Sequence, residues 1–257
     1  MKPFSWMMAL VLLCSTQMAI ADCGNFCDPC DPCSEMSYSV YADYLYWKVG
    51  RSGLNTDDDE HACPHYNSGF RVGGALHCDC WDFGARYTWF ETSASEYNLH
   101  HWHRLDLETG YSWRLDCADV SFRPFAGAIL VWADETFDGD DLDYRGYGLY
   151  VGSEAEWHLV NYCDTDVALV TRGAFGILDG RFKLEENDNA KECIFNSYLE
   201  VFAGLKLTMG DLCGCYSPEL LIGYEVQHFG SWRETGSTND VASLGFGGLV
   251  VRAGLSF

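Results

Sequence analysis

The sequence predicts an all-β protein: an antiparallel transmembrane β-barrel of about ten strands, with eight to twelve compatible with the pattern. Three observations carry this prediction. Apolar and polar residues alternate with period two over long stretches, which gives a strand two unlike faces. Most stretches exceed the roughly 5–6 residues of a soluble strand and reach the roughly 9–11 that cross a bilayer at a tilt. The connections alternate long and short, as in barrels whose short turns face the periplasm and whose longer loops face outward.

In chain order the segments fall near 37–48, 68–76, 81–91, 103–115, 120–132, 144–160, 166–179, 195–209, 218–229 and 244–257. The clearest is 81–91, where Trp81, Phe83, Ala85, Tyr87 and Trp89 share one face and Asp82, Gly84, Arg86 and Thr88 the other. Further on, Leu199, Val201, Ala203, Leu205, Leu207 and Met209 oppose Glu200, Gly204, Lys206 and Thr208. The last segment sets Leu249, Val251, Ala253, Leu255 and Phe257 against Arg252, Gly254 and Ser256. Long connections are expected near 49–67, 92–102, 133–143, 180–194 and 230–243, and short ones at 77–80, 116–119, 161–165 and 210–217. No helical period of comparable length interrupts the pattern, and the segments are not copies of one another, which excludes a repeat array.

Composition narrows the class. The 257 residues include 13 Cys, 9 Trp, 15 Tyr and 15 Phe, with a formal net charge of −22. Such acidity excludes nucleic acid as a partner, because phosphates would repel it. A hydrophobic fraction of 48% with only 6 Pro excludes a disordered chain. So many cysteines favour an oxidising compartment. Lys2, the apolar run from Trp6 to Cys14 and the exit Ala19-Ile20-Ala21 read as a secretory signal over residues 1–21. A Cys/Asp/Pro segment without periodicity follows at 22–36, and the barrel is expected over 37–257.

The two faces of the strands then acquire meanings. Trp81, Trp89, Tyr111, Trp113, Tyr147 and Trp157 stand at strand ends on the apolar face, where interfacial girdles belong. The opposite face carries both signs of charge: Arg71, Asp82, Arg86, Asp106, Glu108, Arg114, Glu154, Glu156, Arg172, Glu200, Lys206, Glu219, Glu225 and Arg252. Lipid would reject these groups, whereas a lumen accepts them. Two readings stay open here. The charges line a narrow aqueous passage for small ions or polar solutes, or they pair with one another and plug it. A wide general porin fits neither, since ten strands enclose little more than eight.

Stretches in order along the chain carry a family resemblance: YADYLYW (41–47), RPFAGAILVW (123–132), RGYGLYVGSEAEWHL (145–159), RGAFGILDGRF (172–182), LLIGYEVQHF (220–229) and GLVVRAGLSF (248–257). Together they resemble the Legionella-type pore-forming major outer-membrane protein family. That resemblance implies a pore-forming, porin-like protein of the outer membrane, with no catalytic residues and no cofactor. The cysteine richness departs from it and looks more like the disulfide cross-linked major outer-membrane proteins of the chlamydial type. The terminal Phe257, with apolar residues at alternate positions before it, resembles the signature that the barrel assembly machinery reads. Outer-membrane lipid and that machinery are thus the implied partners.

The cysteines sort by side on the ten-strand map. Cys78, Cys80, Cys117, Cys163, Cys213 and Cys215 fall in or beside short turns, and Cys23, Cys27, Cys30 and Cys33 precede the barrel. All ten are expected to face the periplasm and to form disulfides within the chain and between neighbouring molecules. Cys63 and Cys193, in long loops, suggest one external bridge. Zinc at Cys27, Cys30 and Cys33, or beside His77 and Cys78, is the rival reading; an oxidising compartment disfavours it, and no metal is assigned. His100, His101 and His103 sit near a loop without a nucleophile motif and are read as surface histidines. The acidic run 134–143 is read as a solvated loop. The functional expectation is passive passage of small solutes. The alternative is a structural, cross-linked envelope protein with a plugged barrel; an enzyme is not expected.

Overall fold

The computed structural model describes residues 36–52, 65–78, 80–92, 99–115, 118–137, 140–162, 165–184, 191–210, 216–235 and 240–257. The expected signal segment 1–21 and nearly all of 22–36 lie outside the described residues. The elements are β1 (Ser37–Ser52), β2 (Tyr66–Cys78), β3 (Trp81–Glu91), β4 (Leu99–Tyr111), β5 (Trp113–Leu115), β6 (Val120–Phe137), β7 (Asp140–Tyr162), β8 (Thr165–Leu184), β9 (Lys191–Met209), β10 (Ser217–Thr235) and β11 (Asp240–Ser256).

Each strand pairs antiparallel with its chain neighbour, and β11 returns to pair with β1, which closes the sheet. β4 and β5 are one stave: Gly110 opposite Phe125 and Trp113 opposite Phe122 keep a single register against β6 across Ser112. The result is a closed barrel of ten antiparallel strands with no free edge. Closure leaves no strand edge unpaired, the condition for a sheet to sit in lipid. The seam ends in reciprocal backbone bonds between Tyr38 and Phe257 at 2.7 and 2.8 Å.

Strand tilt follows from register. A walk around the barrel through directly opposed residues leaves β1 at Ser39 and passes Ala75, Gly84, Glu108, Gly127, Tyr150, Gly176, Tyr198, Phe229 and Leu244. It re-enters β1 at Arg51, twelve residues further on. With strands about 4.7 Å apart and a rise of about 3.3 Å per residue, that stagger tilts them by roughly 40° and gives a radius near 10 Å. Side chains can fill such an interior.

Outward positions form an apolar belt of exposed Val40, Val72, Phe83, Leu107, Leu149, Val151, Phe175, Ile177, Leu205 and Ile222. Rings edge the belt. At the rim where the described chain begins and ends, Phe122, Trp113, Tyr111 and Trp81 touch in sequence, and Tyr38, Phe257 and Tyr216 continue the ring. Toward the far rim stand Tyr46 on Tyr66 and Phe70 on Trp89. This is an apolar band between aromatic girdles, the outer surface of an outer-membrane barrel.

Inside, large rings lie directly across from glycines. Tyr150 faces Gly127 and Gly176, Tyr41 faces Gly73 and Gly254, Phe125 faces Gly152, and Trp47 faces Gly248. A Cβ on Gly127 would lie 2.5 Å from the Leu107 carbonyl oxygen and 2.6 Å from Tyr150 Cζ; on Gly176 it would lie 2.7 Å from Tyr150 Cβ. Gly176→Ala is therefore expected to destabilise the barrel by about 1–3 kcal/mol through overpacking. Denaturant titration of the folded protein in detergent checks it.

The far-rim hairpins correct the expected loops. The acidic run 134–143 is largely strand, not loop: β6 and β7 stay paired up to Phe137 opposite Asp140. β8 and β9, and β10 and β11, likewise overrun their expected ends. Backbone pairing continues above the apolar belt, where no lipid demands apolar side chains, so the period-two signal fades while the ladder does not. Among the described residues the long-loop parity is thus mostly a parity of protruding hairpins.

Candidate functional site: the barrel lumen

Three zones follow one another along the lumen. The middle zone is an ion-pair lattice. On one side Arg71 donates to both oxygens of Glu225 (2.9 and 2.8 Å), to Thr88 (3.0 Å) and to Asp43 (3.4 Å), and Arg252 holds Asp43 at 2.7 Å. On the other, Glu200 collects Arg86 (2.9 Å), Arg104 (3.1 Å) and Arg172 (2.8 Å), and also accepts the Tyr198 hydroxyl. Asp106 bridges Arg86 and Arg104 at 2.9 and 2.7 Å, and Glu108 bridges Arg172 and Arg123 at 2.5 and 2.8 Å. Arg123 reaches Asp82, Glu154 faces Arg172 at 3.6 Å, and Lys206 pairs with Glu156 at 2.5 Å.

Toward the far rim the lumen turns apolar and dry. Trp47, Trp102 and Trp232 are 0, 0 and 1% exposed. Trp102 packs against Phe229, Trp232 and Phe246, Trp47 bridges Phe90 and Phe246, and Tyr144 joins Phe182 to Trp232. Trp232 reaches the inside because a register shift between Phe229 and Arg233 turns that part of β10. Its indole N–H donates to Glu135 at 3.2 Å. Toward the rim with the chain ends lies a cavity of about 340 Å³ lined by charged residues, among them Glu154, Glu156, Lys206 and Arg252. Water reaches it, since Glu154 and Arg252 keep 31% and 24% of their side-chain surface.

The sequence-predicted lumen residues Arg71, Arg86, Asp106, Glu108, Glu154, Glu156, Arg172, Glu200, Lys206, Glu225 and Arg252 all line this cavity. Arg114 does not. It stands at the turn, 53% exposed, and pairs with Asp119 at 2.6 Å, because solvent bathes both faces of a strand beyond the belt. Asp43, Arg104 and Arg123 were missed; Arg104 sits in phase with the predicted Asp106 and Glu108 on its own strand, whereas no lumen residue was predicted on the strands of Asp43 and Arg123. The aromatic plug was missed as well, because rings on the inner face carry no polar mark.

Only three of the expected disulfide cysteines are described. Cys80 is disulfide-bonded. Cys78 and Cys193 are free thiols. The external bridge expected for Cys193 is therefore absent: its side chain is exposed on the outer face of β9. Cys63 and the other expected cysteines lie outside the described residues. The histidines do not converge on one centre: His100 contacts Thr136 at 2.8 Å and His103 contacts Tyr87 at 2.6 Å.

No protein-family model and no curated protein matches the sequence. Among solved structures, the chain is similar to Neisserial surface protein A, at 13% identity and a TM-score of 0.36, covering 87% of this chain and 98% of that one. It is similar to the beta domain of the Bordetella autotransporter BrkA, at 11% identity and a TM-score of 0.43, covering 87% and 99%. Ail, the attachment invasion locus protein of Yersinia pestis, gives 13% identity and a TM-score of 0.31 over 87% and 100%. The chain's own register and closure define its class, an antiparallel ten-strand β-barrel of the outer-membrane type.

Proposed function

We propose that this protein is a sealed outer-membrane barrel, a structural component of the envelope, whose lumen opens toward the periplasm and ends blind toward the exterior. One observation carries the reading: the aromatic zone from Trp47 to Trp232 admits no water, so the charged cavity has no continuation. The resemblance to pore-forming major outer-membrane proteins favours passive passage, but paired charges beneath a dry plug fit a closed interior better. Periplasmic orientation of the rim with the chain ends follows the usual rule for such barrels. The test is single-channel recording in planar bilayers. Refolded protein is expected to give no conductance steps, and regular steps would overturn the proposal.

Cross-linking through the cysteines near that rim belongs to the same proposal, supported by the free thiol of Cys78 there. Non-reducing gels of envelopes should show multimers that reductant dissolves. A single monomer band without reductant would remove cross-linking from the proposal.

A further inference from the structure

We propose that Ser121, His158 and Asp166 form a nucleophilic relay at the open mouth of the lumen, one that hydrolyses small, water-soluble carboxylic esters. The three occupy inward positions on the successive strands β6, β7 and β8. Ser121 Oγ lies 3.1 Å from His158 Nε2, and His158 Nδ1 lies 2.8 Å from Asp166 Oδ2. In the tautomer whose Nδ1–H donates to the Asp166 carboxylate, Nε2 is the ring atom that accepts from the serine hydroxyl. A hydroxyl within reach of a base, with that base oriented by a third group, is the arrangement that activates a serine.

The local backbone sets these positions. A register shift between His158 and Val160 interrupts the β7–β8 ladder, and such bulges re-aim side chains. The His158 N–H donates to the carbonyl of Asp119, 3.1 Å away, and Asp119 has a positive φ of 49° two residues before Ser121. His158 and Asp166 keep 16% and 20% of their side-chain surface, so a dissolved substrate reaches the ring. Ser121 is directly opposite Glu156, which holds Lys206 at 2.5 Å. Lys206, held by that carboxylate, stands in the same wall of the lumen. The cavity of about 340 Å³ is lined by Glu156, opposite Ser121, and not by the three relay residues themselves; its volume suits a small ester and is too small for a diacyl lipid.

In the first step the Oγ–acyl bond forms as the ester C–O bond breaks. The serine proton passes to Nε2 and on to the departing alcohol. Water then attacks the acyl-serine, its proton returning through Nε2 to Oγ, which releases the acid and restores the hydroxyl. Ser39 provides an internal control. It contacts His77 at 3.1 Å, but Asp82, opposite His77, is engaged by Arg123.

The test uses the full chain in detergent, with folding of each variant verified by heat-modifiable gel migration. A fluorophosphonate, which loses fluoride as the Oγ–P bond forms, is expected to label one serine, mapped to Ser121 by mass spectrometry. Ser121→Ala should lose the label and Ser39→Ala keep it. With p-nitrophenyl acetate, His158→Gln should lower kcat/KM by roughly 10³-fold or more. Asp166 acts through His158, so Asp166→Asn should lower kcat while KM holds. Equal reactivity of wild type and Ser121→Ala would overturn the proposal. So would stoichiometric zinc uptake that His158→Gln abolishes, since Glu156, His158 and Asp166 offer ligand atoms within 4.8 Å of one another.

Discussion

Glu200→Ala is expected to destabilise the barrel by about 3–5 kcal/mol, the cost of leaving buried charge uncompensated. Glu200 is fully buried, and three guanidinium groups and the Tyr198 hydroxyl converge on it. Asp106 and Glu108 retain Arg86, Arg104 and Arg172 but cannot replace the shared anion. The measurement is the denaturant midpoint of tryptophan fluorescence in detergent. Pairing the change with Arg104→Met should recover much of the loss, because removing a charge pair together costs less than stranding one partner. A loss below about 1 kcal/mol for the single variant would mean that water or other groups already screen the lattice.

The second large effect is functional. Trp102→Ala with Trp232→Ala removes two touching rings, 5.6 Å apart, from the centre of the seal. Each truncation alone should cost about 3–5 kcal/mol, with the pair less than additive because the two share a void. In planar bilayers the double variant should conduct where the wild type is silent. Trp102→Phe should stay silent and cost little: it keeps a ring in place and deletes an indole N–H that has no partner among the described residues. A double variant that folds and remains silent would place the seal elsewhere.

The lipid-spanning part of the fold was legible because lipid enforces it. β3 begins and ends where the alternation from Trp81 to Glu91 predicts, both faces being unambiguous there. Beyond the belt the rule lapses, which is why the Asp134–Asp143 hairpin reads as loop and why Arg114 reads as lumen. Glu200 was legible for the opposite reason: flanked by the outward apolar Leu199 and Val201, it can only point inward. Trp47, Trp102 and Phe246 share that inward phase, but an aromatic ring suits either a lumen or a girdle. Ser121, His158 and Asp166 were invisible because register, not spacing, brings them together.

The lengthwise division of the interior has an electrical consequence. When a potential is imposed across the membrane, nearly all of the voltage falls over the insulating stack of rings around Trp102. The arginines and carboxylates below it then remain near the potential of the compartment they open to, so membrane polarisation does little work on them.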